Sequence, residues 1–392
     1  MVRRHGPPGQ GGSALRRIPP ALEQSTDRRE TRGIDMSLLD RSHADVIPTI
    51  LADDLPDGSV RCGVCAHRCL VRPERVGICG VRENRDGTLW CLAYGAVAAA
   101  GLDPIEKKPL FHVDPGSVAY SISTIGCPFH CVFCQNWEIA QAPRLGLDIP
   151  QRRMSPEQIV QDAVRARARS IAYTYVEPTV FLEYALDTGR LARRAGLRNL
   201  FVTDGYATPE AVGLLAEVLD AANVDLKSFD DAFYRRLCGA RLSHVLEAIV
   251  AYRDAGIWLE LTTLVIPGRN DSDGELRALA GWIAGTLGPD TPWHVSRFHP
   301  AFRMRDVPAT PVATLRRAAE IGREAGLRYV YVGNAPELQL EDTRCTGCGL
   351  LLVERTGYRS RSVLGRDGTC PGCDRVVPGR WAPASDGAEG AR

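Results

Sequence analysis

The chain has 392 residues, 44% of them hydrophobic, with 48 basic against 47 acidic side chains and a net charge of +1. That length and apolar content suit a globular protein with one large domain and smaller attachments, and the balanced charge excludes an extended polyphosphate-binding surface as the default. No run approaches the apolar length of a membrane span and residues 1–45 lack the apolar stretch of a signal peptide, so the cytoplasm is the expected compartment.

In chain order, residues 1–45 are rich in Arg, Pro and Gly, have no periodicity able to bury a core, and read as a disordered extension, with Met36 as the expected start of translation. Residues 46–112 form a cysteine-rich module. It carries Cys62-Gly-Val-Cys65-Ala-His67-Arg-Cys69 and then Cys79, four thiols within eighteen residues. This spacing leaves three readings open: a closed zinc site, in which His67 could replace one thiol, a second iron–sulfur cluster, or unligated buried thiols. Cys91 stands alone and reads as a buried thiol, and Asp86-Gly87 as the tip of a hairpin.

From 113 to 340 strand-like and helical runs alternate. Strands are expected at Val118–Thr124, Ser170–Tyr175, Asn199–Thr203, Val224–Lys227, Trp258–Ile266, His294–Phe298 and Arg328–Val332. Helices are expected at Met154–Arg169, Thr179–Ala195, Pro209–Ala221, Ala232–Ala255, Ser272–Leu287 and Val312–Ala325. Ser155-Pro-Glu-Gln158 and Thr208-Pro-Glu210 supply N-caps followed by proline, and glycines 196, 256 and 326 supply stops. Successive β-α units imply an α/β fold, a partial (βα)6 TIM-like barrel, with ligands at the C-terminal ends of its strands. Chemically able residues gather there: Cys127, Cys131 and Cys134, then Glu177, Thr203-Asp204-Gly205, Asp225, Lys227 and His299.

The stretch Thr124-Ile-Gly-Cys127-Pro-Phe-His-Cys131-Val-Phe-Cys134-Gln-Asn136 organises the rest. Its three thiols are too close for disulfides and well placed to wrap one metal centre; in a four-iron cubane they leave one iron open to a small molecule. A zinc or structural cysteine cluster is the alternative.

Residues 341–383 form a ribbon-like module in which Cys345-Thr-Gly-Cys348 and Cys370-Pro-Gly-Cys373 are two knuckles separated by twenty-one residues, the spacing of a zinc ribbon, with a redox-active pair as the alternative. Seven arginines against three acids over 344–380 make a solvated basic face, and residues 384–392 read as a disordered tail. Eleven of the thirteen cysteines thus fall into three clusters, which agrees with a reducing compartment. Cys238, in a helical stretch, reads as core.

The C-x3-C-x-aromatic-C arrangement with Phe133 as the aromatic resembles the radical S-adenosylmethionine (SAM) enzymes, and over about residues 118–333 the sequence is similar to pyruvate formate-lyase activating enzyme. The resemblance implies that Cys127, Cys131 and Cys134 ligate a [4Fe-4S] cluster and that Phe133 lies near the adenine of SAM. It implies that Glu177 contacts the methionyl ammonium, and that Asp225, Lys227 and His299 line the SAM pocket. Tyr175-Val-Glu177 stands where the family has Gly-Gly-Glu, and Asp204 where it has an amide. The amino-terminal cysteine pattern, Trp293-His-Val-Ser-Arg-Phe-His-Pro300 and Tyr331-Val-Gly-Asn334 further resemble the radical SAM member of the AmmeMemoRadiSam system, which implies AMMECR1-like and Memo-like companions. Reduced flavodoxin or ferredoxin is the electron donor such a resemblance implies. The expected function is then reductive cleavage of SAM to methionine and a 5′-deoxyadenosyl radical that takes hydrogen from a protein, as a glycyl-radical activase does, or from another substrate. A non-catalytic iron–sulfur and zinc protein relaying electrons or assembling partners, and a nucleic-acid-modifying radical enzyme docking through its ribbon, are the alternatives.

Overall fold

The computed structural model describes residues 46–381; the disordered segments expected at 1–45 and 384–392, and the start at Met36, lie outside them. The scaffold is an eight-stranded sheet. Its strands are β1 (Ala99–Pro104), β2 (Val118–Ser123), β3 (Ser170–Tyr173), β4 (Arg198–Thr203), β5 (Ala221–Asp225), β6 (Trp258–Val265), β7 (Trp293–Arg297) and β8 (Val330–Gly333). From β2 to β8 each strand pairs in parallel with the next, whereas β1 lies antiparallel on the outer edge of β2. The crossovers carry helices α1 (Pro156–Arg165), α2 (Leu182–Arg194), α3 (Pro209–Leu215), α4 (Leu242–Asp254), α5 (Asp273–Trp282) and α6 (Val312–Glu324). Strand β3 is buried along its whole length, as expected where both faces of a parallel sheet are covered. Residues just after β2, β3 and β4, at the end of β5 and just after β8 line one common cavity, which requires the sheet to curl. Among the described residues β2 and β8 do not pair, so the curl is a partial barrel with an open seam.

Local chemistry starts the helices where expected. The Ser155 hydroxyl accepts from Gln158 N while the Gln158 amide oxygen accepts from Ser155 N, and Thr208 caps α3 by accepting from Ala211 N. One expected helix is broken: Ala232–Ala255 divides into Asp231–Phe233, a widened turn over Tyr234–Cys238, and α4. Gly239 ends the turn at φ 70°, a left-handed conformation that favours glycine, and a Cβ there would crowd the His130 ring at 3.2 Å. Two further expectations shift. Helix α3 stops at Leu215, and β5 begins at Ala221, inside the run assigned to that helix.

At the other end of the barrel a buried polar network ties in the C-terminal segment. The Glu260 carboxylate on β6 accepts from the backbone N–H groups of Phe111 and His112 (2.9 and 2.7 Å) and lies 2.7 Å from His294 Nε2. Arg355 donates to the Phe111 carbonyl at 2.8 Å and stacks 4.1 Å over its ring. His112 is fully buried, 2.7 Å from both the Pro378 carbonyl and the Tyr331 hydroxyl. Burial, against the opposing pull of Glu260 and with the help of Arg355 and His294, lowers its pKa to about 4. The unfolded chain, with histidine near 6.5, therefore takes up the proton first, so the stability His112 contributes is complete above about pH 6.5 and is lost as pH falls towards 4, by roughly 1.4 kcal/mol per unit. Between pH 7.5 and 5.5 urea denaturation should show the wild type losing about 1 kcal/mol more than His112→Gln; equal slopes would refute this.

Candidate functional site

The cavity at the C-terminal ends of the strands measures about 460 Å³. The Cys127–Cys134 loop follows β2 and is held by backbone bonds: His130 N donates to the Cys238 carbonyl (2.7 Å), Val132 N to Leu237 (3.0 Å) and Gly126 N to Ile139 (3.0 Å). The widened turn that breaks the expected helix therefore serves the cysteine loop, since its carbonyls are free to accept from it. Cys127, Cys131 and Phe133 are buried, Cys134 is half-buried, and all four line the cavity. Cys238, fully buried, lies against the Cys131 thiol; no motif signals this contact, because a fold-dependent turn creates it.

Glu177 follows β3 and is 1% exposed. Its carboxylate accepts from Thr203 Oγ1 (2.8 Å to each oxygen), from Thr179 N (3.2 Å) and from Asp204 N, and burial together with the nearby Asp204 charge raises its pKa to about 7. The residue two places before it, Tyr175, has φ 69°, so the left-handed backbone that a glycine takes freely is retained by a tyrosine at roughly 1–2 kcal/mol. Three contacts hold it there: Asn136 Nδ2 donates to its carbonyl (3.0 Å), Lys108 Nζ stands 4.8 Å from its ring, and its hydroxyl meets Asp103.

Lys227, 7% exposed, is clamped between Asp225 (2.7 Å) and Asp204 (2.8 Å). Burial works against its charge, but the two carboxylates outweigh it and raise its pKa well above the ordinary lysine value. Asp204 also lies 3.6 Å from Cys127 Sγ, so the acid in place of an amide bridges the lysine and the cysteine loop. Asn270, buried in the loop after β6, fixes this arrangement by donating to the carbonyls of Lys227 (2.6 Å) and Leu264 (2.9 Å). Of the residues expected in the pocket, the structure brings together Cys127, Cys131, Phe133, Cys134, Glu177, Asp225 and Lys227. His299 is the exception. It is exposed, beyond the end of β7, and does not line the cavity, because Phe298 turns into the core and sends the next residue outward; Ser296 and Asn334 line that side instead. Lys107, Lys108 and Tyr358, the last from the C-terminal hairpin, also reach the cavity and were not evident from the sequence.

The donor set fits the group a C-x3-C-x-x-C loop would hold. Three thiols share one cavity wall, and the carboxylates of Glu177, Asp204 and Asp225, set beside lysine amines, suit a ligand carrying both an ammonium and a carboxylate. Burial first, then Asp204 and the neighbouring thiols, raises the Cys127 pKa, so a bound cation is what would bring these sulfurs to the thiolate form.

The other cysteines divide by spacing. The ligand atoms of Cys345, Cys348, Cys370 and Cys373 all lie within 4.8 Å of one another, with contacts of 3.5 Å (Cys345 to Cys373) and 3.6 Å (Cys348 to Cys370). Thiolates 2.3 Å from one tetrahedral ion stand about 3.8 Å apart, so this set matches a single metal ion. Gly347 N and Gly372 N point at the first sulfur of each knuckle. Cys62, Cys65, Cys69 and Cys79 line a second, small cavity beside Arg82 and Val180. His67 does not join them: its Nε2 lies 3.0 Å from the Pro128 carbonyl and its ring packs on Tyr206. Cys91 is fully buried, as expected, and no helix among the described residues is long and apolar enough to cross a membrane.

Comparison with known proteins places these features in context. The radical SAM superfamily model matches residues 121–280. An uncharacterised protein of Methanocaldococcus jannaschii is 42% identical over 311 residues, covering 79% of this chain and 92% of that protein. The isethionate sulfite-lyase activating enzyme of Nitratidesulfovibrio vulgaris is 30% identical over 106 residues, 26% of this chain and 34% of that enzyme. Among solved structures, a domain of pyruvate-formate lyase-activating enzyme from Bacteroides vulgatus aligns with a TM-score of 0.38 and 17% identity, over 42% of this chain and 99% of that domain.

Proposed function

Because the chain belongs to the radical SAM superfamily, we propose that it is an enzyme that cleaves SAM reductively and uses the product radical on a protein or small-molecule substrate. The observation that carries this reading is the sharing of one cavity by Cys127, Cys131 and Cys134 with Glu177, Asp225 and Lys227, delivered by the ends of three strands, β2, β3 and β5. The three cysteines would hold a [4Fe-4S] cluster. When bound with SAM, that cluster supplies an electron that splits the sulfonium C–S bond to give methionine and a 5′-deoxyadenosyl radical able to abstract hydrogen.

The chain's own residues orient and enclose. Lys227 offers its ammonium to the methionyl carboxylate, and Asp204 and Asp225 hold that ammonium in place. Glu177 faces the methionyl ammonium, and the two threonines bonded to it fix its rotamer. Phe133, 4% exposed, gives the adenine an apolar wall and keeps water from the cluster side of the cavity. The local similarity to an activating enzyme supports a protein glycine as the substrate class, with reduced flavodoxin or ferredoxin as the donor, and the ribbon's four-sulfur site is assigned to zinc.

Anaerobic protein reconstituted with iron and sulfide, then given SAM and dithionite, should release 5′-deoxyadenosine and methionine in equal amounts. A fully reconstituted protein that releases neither overturns the proposal.

A further inference from the structure

Four of the cysteines are not used by the SAM site or by the ribbon, and their geometry separates two kinds of metal centre. We infer that Cys62, Cys65, Cys69 and Cys79 bind a second iron–sulfur cluster, ligated wholly by protein thiolates, rather than a zinc ion. All four line one cavity, and Cys65 lies within electrostatic reach of Cys62, Cys69 and Cys79. They therefore face a common centre. Yet among the described residues no three of these sulfurs all lie within 4.8 Å of one another, whereas the ribbon cysteines do so as a complete set.

Thiolates gathered round one zinc must stand about 3.8 Å apart, and the ribbon cysteines, with sulfur contacts of 3.5 and 3.6 Å, close to about that spacing. In an iron–sulfur cluster the thiolates are spread over different irons, so they stand farther apart while still pointing inward. Cys127, Cys131 and Cys134 supply an internal comparison, since they too share a cavity without closing to 4.8 Å. The N-terminal set thus has the open spacing of the triad and the ligand count of a closed site. With four protein ligands it leaves no iron for SAM.

Its position gives the second centre a use. Gly126, just before Cys127, has φ 89°, and a Cβ there would lie 2.6 Å from the Cys79 carbonyl oxygen, so the two cysteine loops are in direct contact. Cys65 bridges to Ala207, and Ala66 N donates to the Tyr206 carbonyl at 2.9 Å, a few residues beyond the Asp204 that approaches Cys127. The module is therefore pinned to the SAM site on both sides of its cavity, and the second cluster is seated beside the first.

The test is a metal and sulfide count on full-length protein reconstituted anaerobically. The triple variant Cys127→Ala, Cys131→Ala, Cys134→Ala should keep iron and inorganic sulfide in equal numbers, about four of each for a cubane or two for a two-iron cluster, with a charge-transfer spectrum that SAM leaves unchanged. Cys65→Ser with Cys69→Ser should lose that same share of iron from the otherwise wild-type chain. A triple variant without iron, or one holding about two zinc ions per chain where the ribbon accounts for one, overturns the inference. Should the triple variant not fold, the wild type decides: iron beyond one cubane with one zinc supports the assignment, and about four irons with two zinc ions refutes it. The count is independent of turnover, so it stands or falls separately from the release of 5′-deoxyadenosine.

Discussion

Replacing Cys131 with alanine is expected to abolish the SAM-responsive part of the iron spectrum and to lower 5′-deoxyadenosine release by ~10³-fold or more, to background. The size of the effect follows from how the loop is held. Its shape is set by backbone bonds from His130 to Cys238 and from Val132 to Leu237, which alanine leaves in place. The substitution therefore deletes a ligand without unfolding the site, and a cubane with two protein ligands in place of three is left with two open irons. Cys238→Ala provides the contrast. That thiol touches Cys131, but it is the Cys238 carbonyl that anchors the loop, so iron content should stay at the wild-type level and stability should fall by only about 1 kcal/mol. Measured by iron and sulfide content, product release and urea denaturation of both variants, an active Cys131→Ala protein with an unaltered response to SAM would remove the triad from the mechanism.

Much of this site was legible before the fold was known, and the reason is periodicity. Strands buried on both faces, such as Ser170–Tyr173 and Trp258–Val265, are near-continuous apolar or β-branched runs, and the residues that do chemistry are the polar ones that interrupt the pattern just beyond them. Glu177, Asp225 and Lys227 were found in this way. His299 fits the same pattern, yet it lies in the loop beyond β7, exposed and away from the cavity lining, where strand periodicity no longer sets the direction of a side chain. The edge strand Ala99–Pro104 was missed for lack of a strong strand-forming run: its alanines, glycine and proline are tolerated because, among the described residues, only its inner edge pairs, with β2. Cys238, Lys108 and Tyr358 reach the site only through tertiary contacts. The left-handed Tyr175 could not be foreseen either, since its strain is paid by three partners from distant parts of the chain.

Glu183→Gln is expected to cost about 3–5 kcal/mol of stability. Glu183 on α2 and Arg82 of the cysteine-rich module are both 2% exposed and form a two-pronged pair, with Nη1 and Nη2 each 2.8 Å from a different carboxylate oxygen. Nothing in the pair is spare. The guanidinium also donates to Thr49 Oγ1 (2.7 Å) and to the Val180 carbonyl (3.3 Å), and Glu183 accepts from Ile50 N (3.2 Å). Burial opposes both charges, yet the Glu183 pKa is lowered and the Arg82 pKa raised, so each partner is ionised because of the other. Neutralising Glu183 therefore leaves a desolvated guanidinium without its carboxylate partner, at the point where the module meets α2. The isosteric amide keeps the packing, so the loss measures the charge and its hydrogen bonds. A double variant, Arg82→Met with Glu183→Leu, removes both charges and should recover most of the loss, because the attraction between two buried ions roughly repays their desolvation and little more. Chemical denaturation of Arg82→Met, Glu183→Leu and their double variant closes the cycle: additive losses would mean that the pair is not coupled, and a Glu183→Gln loss under 1 kcal/mol would mean that water reaches the guanidinium.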